Sequence, residues 1–177
     1  MKKINIKYFL PVGFVILFLI FFSQVLNKDV TKLSSQLIQK PVPDFNMPSL
    51  LNEKETLSYS DIAGSDIAIV NIWASWCVPC RSEHEILMLL SKTKGLDLFG
   101  INYKDDDKNA EAFIKKLGNP FKKIGVDKTG RSSMVWGVYG VPETFIIHKG
   151  VVIYKHIGPI HMSELEDIVL PILSKIL

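Results

Sequence analysis

Ile67-Ala68-Ile69-Val70-Asn71-Ile72-Trp73-Ala74-Ser75-Trp76-Cys77-Val78-Pro79-Cys80-Arg81-Ser82-Glu83-His84-Glu85-Ile86-Leu87 changes character in its middle, and both cysteines of the chain lie at the change. Residues 67–73 are almost continuously apolar and rich in β-branched side chains, the pattern of a strand buried on both faces. From Val78 to Lys92 the pattern turns helical, with Ile86, Leu87, Leu89 and Leu90 placing its apolar weight toward the C-terminal end. Cys77 and Cys80 therefore stand where a buried strand ends and a helix begins.

That position gives a Cys-x-x-Cys pair its chemistry. A helix N-terminus offers unpaired N–H groups and the positive end of the helix dipole, which stabilise a thiolate and lower the pKa of the first cysteine. Cys77 is the expected nucleophile, and Cys80, one turn further on, the resolving thiol that closes the intramolecular disulfide. Two blander readings stand beside this one, an inert structural disulfide and half of a zinc site. Zinc needs a second ligand pair, and of His84, His148, His156 and His161 only the last two have a suitable spacing, around an Ile157-Gly158-Pro159-Ile160 loop. No metal or cofactor is expected beyond the cysteines themselves.

Outward from this centre, Leu96–Tyr103 reads as a second strand and Asp107–Leu117 as a surface helix opened by Asp105, Asp106 and Asp107. A short strand near Ile124–Val126, a helical turn at Arg131–Trp136, and strands at Thr144–His148 and Val151–His156 follow, the last two joined at Lys149-Gly150. A final helix is expected over Ser163–Leu177, kinked by Pro171. Ahead of the buried strand, Phe45–Ser49 and Glu55–Ser58 pair as a hairpin around Asn52-Glu53-Lys54. The order βαβα then ββα describes a mixed sheet flanked by helices. Pro142, in Gly140-Val141-Pro142-Glu143-Thr144-Phe145, precedes a strand where a proline can adopt a cis bond and bring the preceding backbone beside the disulfide. A trans proline opening the strand is the plainer reading.

The chain has 177 residues with 47% hydrophobic and 22% charged side chains, enough for one packed domain but not two. Five of the 21 Lys and Arg and one of the 18 Asp and Glu precede residue 40, which leaves 16 against 17 from Lys40 onward. A neutral domain gives no electrostatic argument for nucleic-acid binding. The basic excess sits at the N-terminus, where Lys2, Lys3 and Lys7 come before an uncharged run from Tyr8 to Phe22. A signal peptide would share this pattern, but no small-x-small cleavage site follows, so an uncleaved signal-anchor over residues 8–26 is expected. Lysines before the run put residues 1–7 in the cytoplasm and the domain on the other side. Residues 27–43, ending in Pro41-Val42-Pro43, read as a linker to a domain over 44–177.

Asn71–His84, Gly100-Ile101-Asn102-Tyr103-Lys104-Asp105, Gly137-Val138-Tyr139-Gly140-Val141-Pro142-Glu143-Thr144-Phe145 and Gly158-Pro159 together resemble the thioredoxin superfamily, and more closely its membrane-anchored CcmG/DsbE branch of thiol:disulfide oxidoreductases. The resemblance implies an α/β thioredoxin-like fold with an N-terminal β-hairpin and a central insertion, preceded by one transmembrane helix. It implies a cis Pro142, peptide binding by Trp76, Val141 and Pro142, and acidic residues Glu83 and Glu143 near the cysteines. It further implies a domain in the bacterial periplasm, anchored in the inner membrane, that reduces apocytochrome c or a maturation partner and is itself reduced by a membrane thiol-electron carrier. Where ordinary thioredoxins carry a buried acid six residues before the first cysteine, this chain has Asn71, so Glu83 or Glu143 must handle protons or tune the thiolate; both could equally be solvated surface carboxylates. A general periplasmic reductase, an oxidase and a non-catalytic tethered peptide-binding module remain open as alternatives.

Overall fold

The computed structural model describes residues 9–26 and 37–177, and the chain forms two units, Met1–Ser34 and Ser35–Leu177. The expected cytoplasmic segment 1–7 and most of the expected linker lie outside the described residues. In the first unit, α1 runs Phe9–Leu26, 18 residues. At 1.5 Å per residue that is about 27 Å, a little under a hydrocarbon core of about 30 Å. Among the described residues no helix is long and apolar enough to cross a membrane. The span expected over 8–26 is thus matched in its helicity alone.

The second unit runs β1 (Asn46–Pro48), β2 (Thr56–Ser58), α2 (Tyr59–Ala63), β3 (Ile67–Trp73), α3 (Val78–Leu90), β4 (Leu96–Tyr103), α4 (Asp107–Leu117), β5 (Lys123–Asp127), α5 (Arg131–Val135), β6 (Glu143–His148), β7 (Val151–Ile157), α6 (Met162–Glu164) and α7 (Leu170–Leu173). β1 and β2 form the expected antiparallel hairpin. The other five strands form one mixed sheet in the order β5-β4-β3-β6-β7. β3 lies in the middle, parallel to β4 and antiparallel to β6, and every one of its seven residues is buried. Its period of two divides the core: Ile67, Ile69 and Trp73 pack with Leu87, Leu90, Phe113 and Leu165, while Ala68, Val70 and Ile72 pack with Phe99, Trp136 and Phe145. Asn71 has the parity of the first set and so faces α3. β5 forms one edge of the sheet, parallel to β4.

Lys149 and Gly150 have φ of 49° and 76°, two successive left-handed residues of the kind that closes a two-residue hairpin between β6 and β7. The final helix departs from expectation. It starts at Met162, widens into a π-helical turn over Leu165–Val169 and resumes as α7. Pro171 has no N–H to give the carbonyl four residues back, and its ring crowds that carbonyl, so the preceding turn opens. α3 also differs: its buried face is Cys80, Glu83, His84, Ile86, Leu87 and Leu90, so two polar side chains share the inward stripe with the apolar ones.

The domain begins earlier than residue 44. The Gln39 N–H donates to the Val152 carbonyl at 2.8 Å, the Val42 N–H to the Gly150 carbonyl at 2.9 Å, and Pro41 bridges Val151. Residues that read as a Pro-rich linker are thus laid along the outer edge of β7, and Val42 is buried with Leu57, Ile62 and Val152. Proline suits an edge of this kind, where one side of the backbone needs no donor. Val42→Ala in the full chain should lower unfolding stability by about 2 kcal/mol, as measured by urea denaturation. A linker residue would give a change within about 0.5 kcal/mol, and that result would return the domain start to residue 44.

Candidate active site

Ala74 to Cys77 form the turn between β3 and α3, closed by the Cys77 N–H donating to the Ala74 carbonyl at 3.2 Å. Cys77 is the N-cap of α3, with extended φ and ψ of −82° and 111°, and Pro79 sits in the first helical turn, where its missing N–H costs nothing. Cys77 and Cys80 are joined as a disulfide, and Cys77 Sγ accepts the Cys80 backbone N–H at 3.1 Å. A sulfur here meets an unpaired helix donor and the positive end of α3, as the sequence position required. Both cysteines are buried, whereas Trp76 and Val78 beside them are 57% and 77% exposed. The disulfide thus lies at the foot of a small apolar shelf. The Val141–Pro142 bond is cis, and partly buried Val141 packs against the cluster that contains both cysteines. Trp76 adjoins the disulfide in sequence, and Pro142 stands just before Glu143, whose strand partner is Ile72 of β3.

Neither acid is a solvated surface group. Glu83 is 1% exposed, with Oε1 accepting from Asn71 Nδ2 at 2.8 Å and Oε2 from the Ile160 N–H at 3.0 Å. Burial pushes its pKa up to about 7, outweighing those two hydrogen bonds, which favour the charged form. Asn71 also donates to Thr144 Oγ1 at 3.0 Å. The carboxyl missing from β3 is thus supplied from α3, directly across from the asparagine that stands in its place. Glu83 follows Cys80 by three residues and shares its helix face.

Glu143 is held differently. Its Oε1 accepts the N–H groups of Tyr139 and Gly140 at 2.8 and 3.2 Å, and its Oε2 lies 2.8 Å from Lys155 Nζ. Both side chains of this ion pair are buried. Lys155 also donates to the Gly137 carbonyl at 2.7 Å and lies 4.7 Å from the Tyr139 ring centroid. Glu143 and Lys155 together tie down the Gly137–Gly140 approach to Pro142. Lys155 was missed in the sequence. Its signal was a lysine within a predominantly apolar and aromatic strand, opposite Phe145 in the β6–β7 ladder.

His84 was missed as a positioning group as well. Its Nε2 contacts the Gly118 carbonyl at 3.0 Å and its ring meets Phe113 edge-on, tying α3 to the end of α4. Burial lowers its pKa, keeping the ring neutral. His156 Nε2 contacts the Pro159 carbonyl at 3.3 Å, and among the described residues no three His, Cys, Asp or Glu side chains converge as metal ligands.

The Glu83 shift sets a pH dependence. Between pH 4.5 and about 7 the folded chain keeps a proton at Glu83 that the unfolded chain has released. Stability should fall as pH rises through that window, by an amount of order 3 kcal/mol from this one group. Glu83→Gln should flatten the dependence in urea titrations of the oxidised protein run from pH 4 to 8. An unchanged slope in the variant would show that Glu83 carries an ordinary carboxylate pKa.

Comparison with known proteins agrees with this geometry. Residues 38–169 match the Redoxin family. The chain is 36% identical over 151 residues to the thiol:disulfide interchange protein DsbE of Allochromatium vinosum, covering 85% of this chain and 83% of that one. It is 38% identical over 148 residues to DsbE of Escherichia coli K12, covering 83% and 80%. A Chlorobium tepidum structure solved as a thiol:disulfide interchange protein DsbE superposes with a TM-score of 0.64 at 26% identity, over 77% of this chain and 95% of the other. With a disulfide at a helix N-terminus, a cis proline just ahead of the adjoining strand β6, and relatives of this similarity along most of its length, the chain belongs to the redoxin family and, within it, to the DsbE thiol:disulfide oxidoreductases.

Proposed function

We propose that this protein is a membrane-tethered reductase of the bacterial periplasm that acts on the disulfide of apocytochrome c, or on one formed with a maturation partner, during cytochrome c biogenesis. The observation that carries the reading is the Cys77–Cys80 pair at the N-terminus of α3, set against the Val141–Pro142 loop. In the reduced protein the Cys77 thiolate attacks one sulfur of the substrate disulfide. A mixed disulfide forms and the other substrate sulfur leaves as a thiolate. Cys80, giving up its proton, then attacks Cys77 Sγ, releases the second substrate sulfur and closes the Cys77–Cys80 bond. Two electrons pass to the substrate, and a membrane thiol-electron carrier returns them.

Glu83 supports this cycle as the proton acceptor for Cys80, because a buried carboxyl with a pKa of about 7 can both take and release a proton near neutrality. The exposed indole of Trp76 and the backbone of Val141 offer the contacts for an extended peptide, with Pro142 holding that backbone in place. α1 acts as the anchor. Its apolar run behind Lys2, Lys3 and Lys7 fits a helix inserted with the N-terminus in the cytoplasm, and a tether raises the effective concentration of the domain at a membrane-bound assembly site.

Equilibration of the Cys77–Cys80 pair in thiol buffers, read by tryptophan fluorescence, should give a reduction potential near or below roughly −200 mV. A value near roughly −120 mV would make the protein an oxidant and overturn the reductase assignment. Cys77→Ser should abolish insulin reduction, while Cys80→Ser should accumulate a mixed disulfide with apocytochrome c bearing an oxidised cysteine pair. Persistent insulin turnover in Cys77→Ser would remove Cys77 as the nucleophile. In fractionated cells the full chain should stay with membranes after an alkaline carbonate wash and be digested by protease in spheroplasts; release by the wash would remove α1 as an integral anchor.

A further inference from the structure

The loop that follows β4 touches both corner residues of the turn that carries the nucleophile. Asp105 accepts four hydrogen bonds: Oδ2 from the Ser75 N–H at 2.5 Å and from Asn102 Nδ2 at 2.9 Å, and Oδ1 from Ser75 Oγ at 2.8 Å and from the Asp106 N–H at 2.9 Å. The next corner residue, Trp76, donates its indole N–H to the Lys104 carbonyl at 3.2 Å. Lys104 presents that carbonyl from a left-handed backbone, φ 45°, which a non-glycine residue adopts at some cost. Asn102 lies opposite Trp73 in the β3–β4 ladder, so the support reaches back into the sheet. Asp105 is buried and anchored from outside as well, with Lys128 Nζ donating to its backbone carbonyl at 3.0 Å.

We propose that Asp105 is a positioning residue for disulfide exchange: by holding Ser75 at two atoms, it fixes the Ala74–Cys77 turn so that Cys77 Sγ stays aligned with the N–H groups at the start of α3. It does not touch the sulfurs. A turn fixed at only one corner could rotate about the free one, and the stabilisation of a thiolate by a helix N-terminus falls off steeply with misalignment. The same loop orients the Trp76 ring, so one support sets both the nucleophile and the exposed surface beside it. The charged groups in the surrounding segments include Lys104 and Asp106 from this loop, Asp107 from α4, Asp127 from β5, Lys128 from the β5–α5 loop, Arg81, Glu83 and Glu85 from α3, Glu143 from β6 and Lys155 from β7.

The sign of the response separates positioning from direct charge. Loss of the Asp105 charge, acting through space alone, would favour the thiolate and speed alkylation of Cys77. Loss of positioning would slow it. In full-length reduced protein, Asp105→Ala should cut the iodoacetamide rate constant of Cys77 at pH 7 by roughly tenfold and raise the pH midpoint of that reaction by about one unit. Ser75→Ala keeps the charge and one of the two Ser75 bonds, and should move both quantities in the same direction by less. In insulin reduction the turnover number should fall more than KM rises for both variants. A purely structural Asp105 would lower the urea midpoint and leave the alkylation midpoint in place, which would overturn the proposal. So would faster alkylation in Asp105→Ala. Should Asp105→Ala fail to fold, Ser75→Ala and Asp105→Asn decide alone: wild-type alkylation midpoints in both would overturn it.

Discussion

Burial of β3 on both faces is the constraint from which the site follows. Packing above and below keeps β3 in the interior of the sheet, where it lies between β4 and β6 as the third of five strands. Because β4 runs parallel to it, the C-terminal end of β4 arrives at the same edge and brings Asn102, Lys104 and Asp105 to the nucleophilic turn. Because β6 runs antiparallel, it is the N-terminal end of β6 that arrives there, bringing Pro142 and Glu143. Strand direction alone therefore gathers at the disulfide three segments that lie far apart along the chain.

Two buried carboxyls near that edge show how surroundings divide roles between like side chains. Glu83 has only neutral donors, an asparagine amide and a backbone N–H, and burial raises its pKa to about 7. Glu143 has a buried ammonium at 2.8 Å and two backbone donors. The first is suited to proton transfer at neutral pH, and the second to holding a loop. Neither difference is visible in the identity of the residue, since both are glutamates close in sequence to an element of the site.

Much of the architecture was legible beforehand because it rests on local pattern. β3 and β4 match their expected bounds, as does α4, since unbroken apolar runs and an acidic first turn are read within a few residues. The β6–β7 turn was legible for the same reason, two residues needing positive φ. Elements fixed by distant partners were read less well. Pro41-Val42-Pro43 looks like a linker in isolation, and becomes part of the fold only because the outer edge of β7 is there to receive it. The π-helical turn before Pro171 needs the rest of the C-terminal helix to be held against the sheet before it forms in place of a simple break.

By itself the sequence determined the placement at the centre: two cysteines three residues apart at a strand-to-helix junction, where the helix N-terminus supplies the donors a thiolate needs. Only the tertiary structure decided how that chemistry is tuned and supported. The pKa of Glu83 is set by burial, which raises it, against hydrogen bonds from Asn71 and Ile160 of two other segments, which lower it. The pairing of Glu143 with Lys155 and of Asp105 with Ser75 likewise joins residues 12 and 30 positions apart. Distances across the fold, set by packing rather than by neighbours in the chain, fix such interactions.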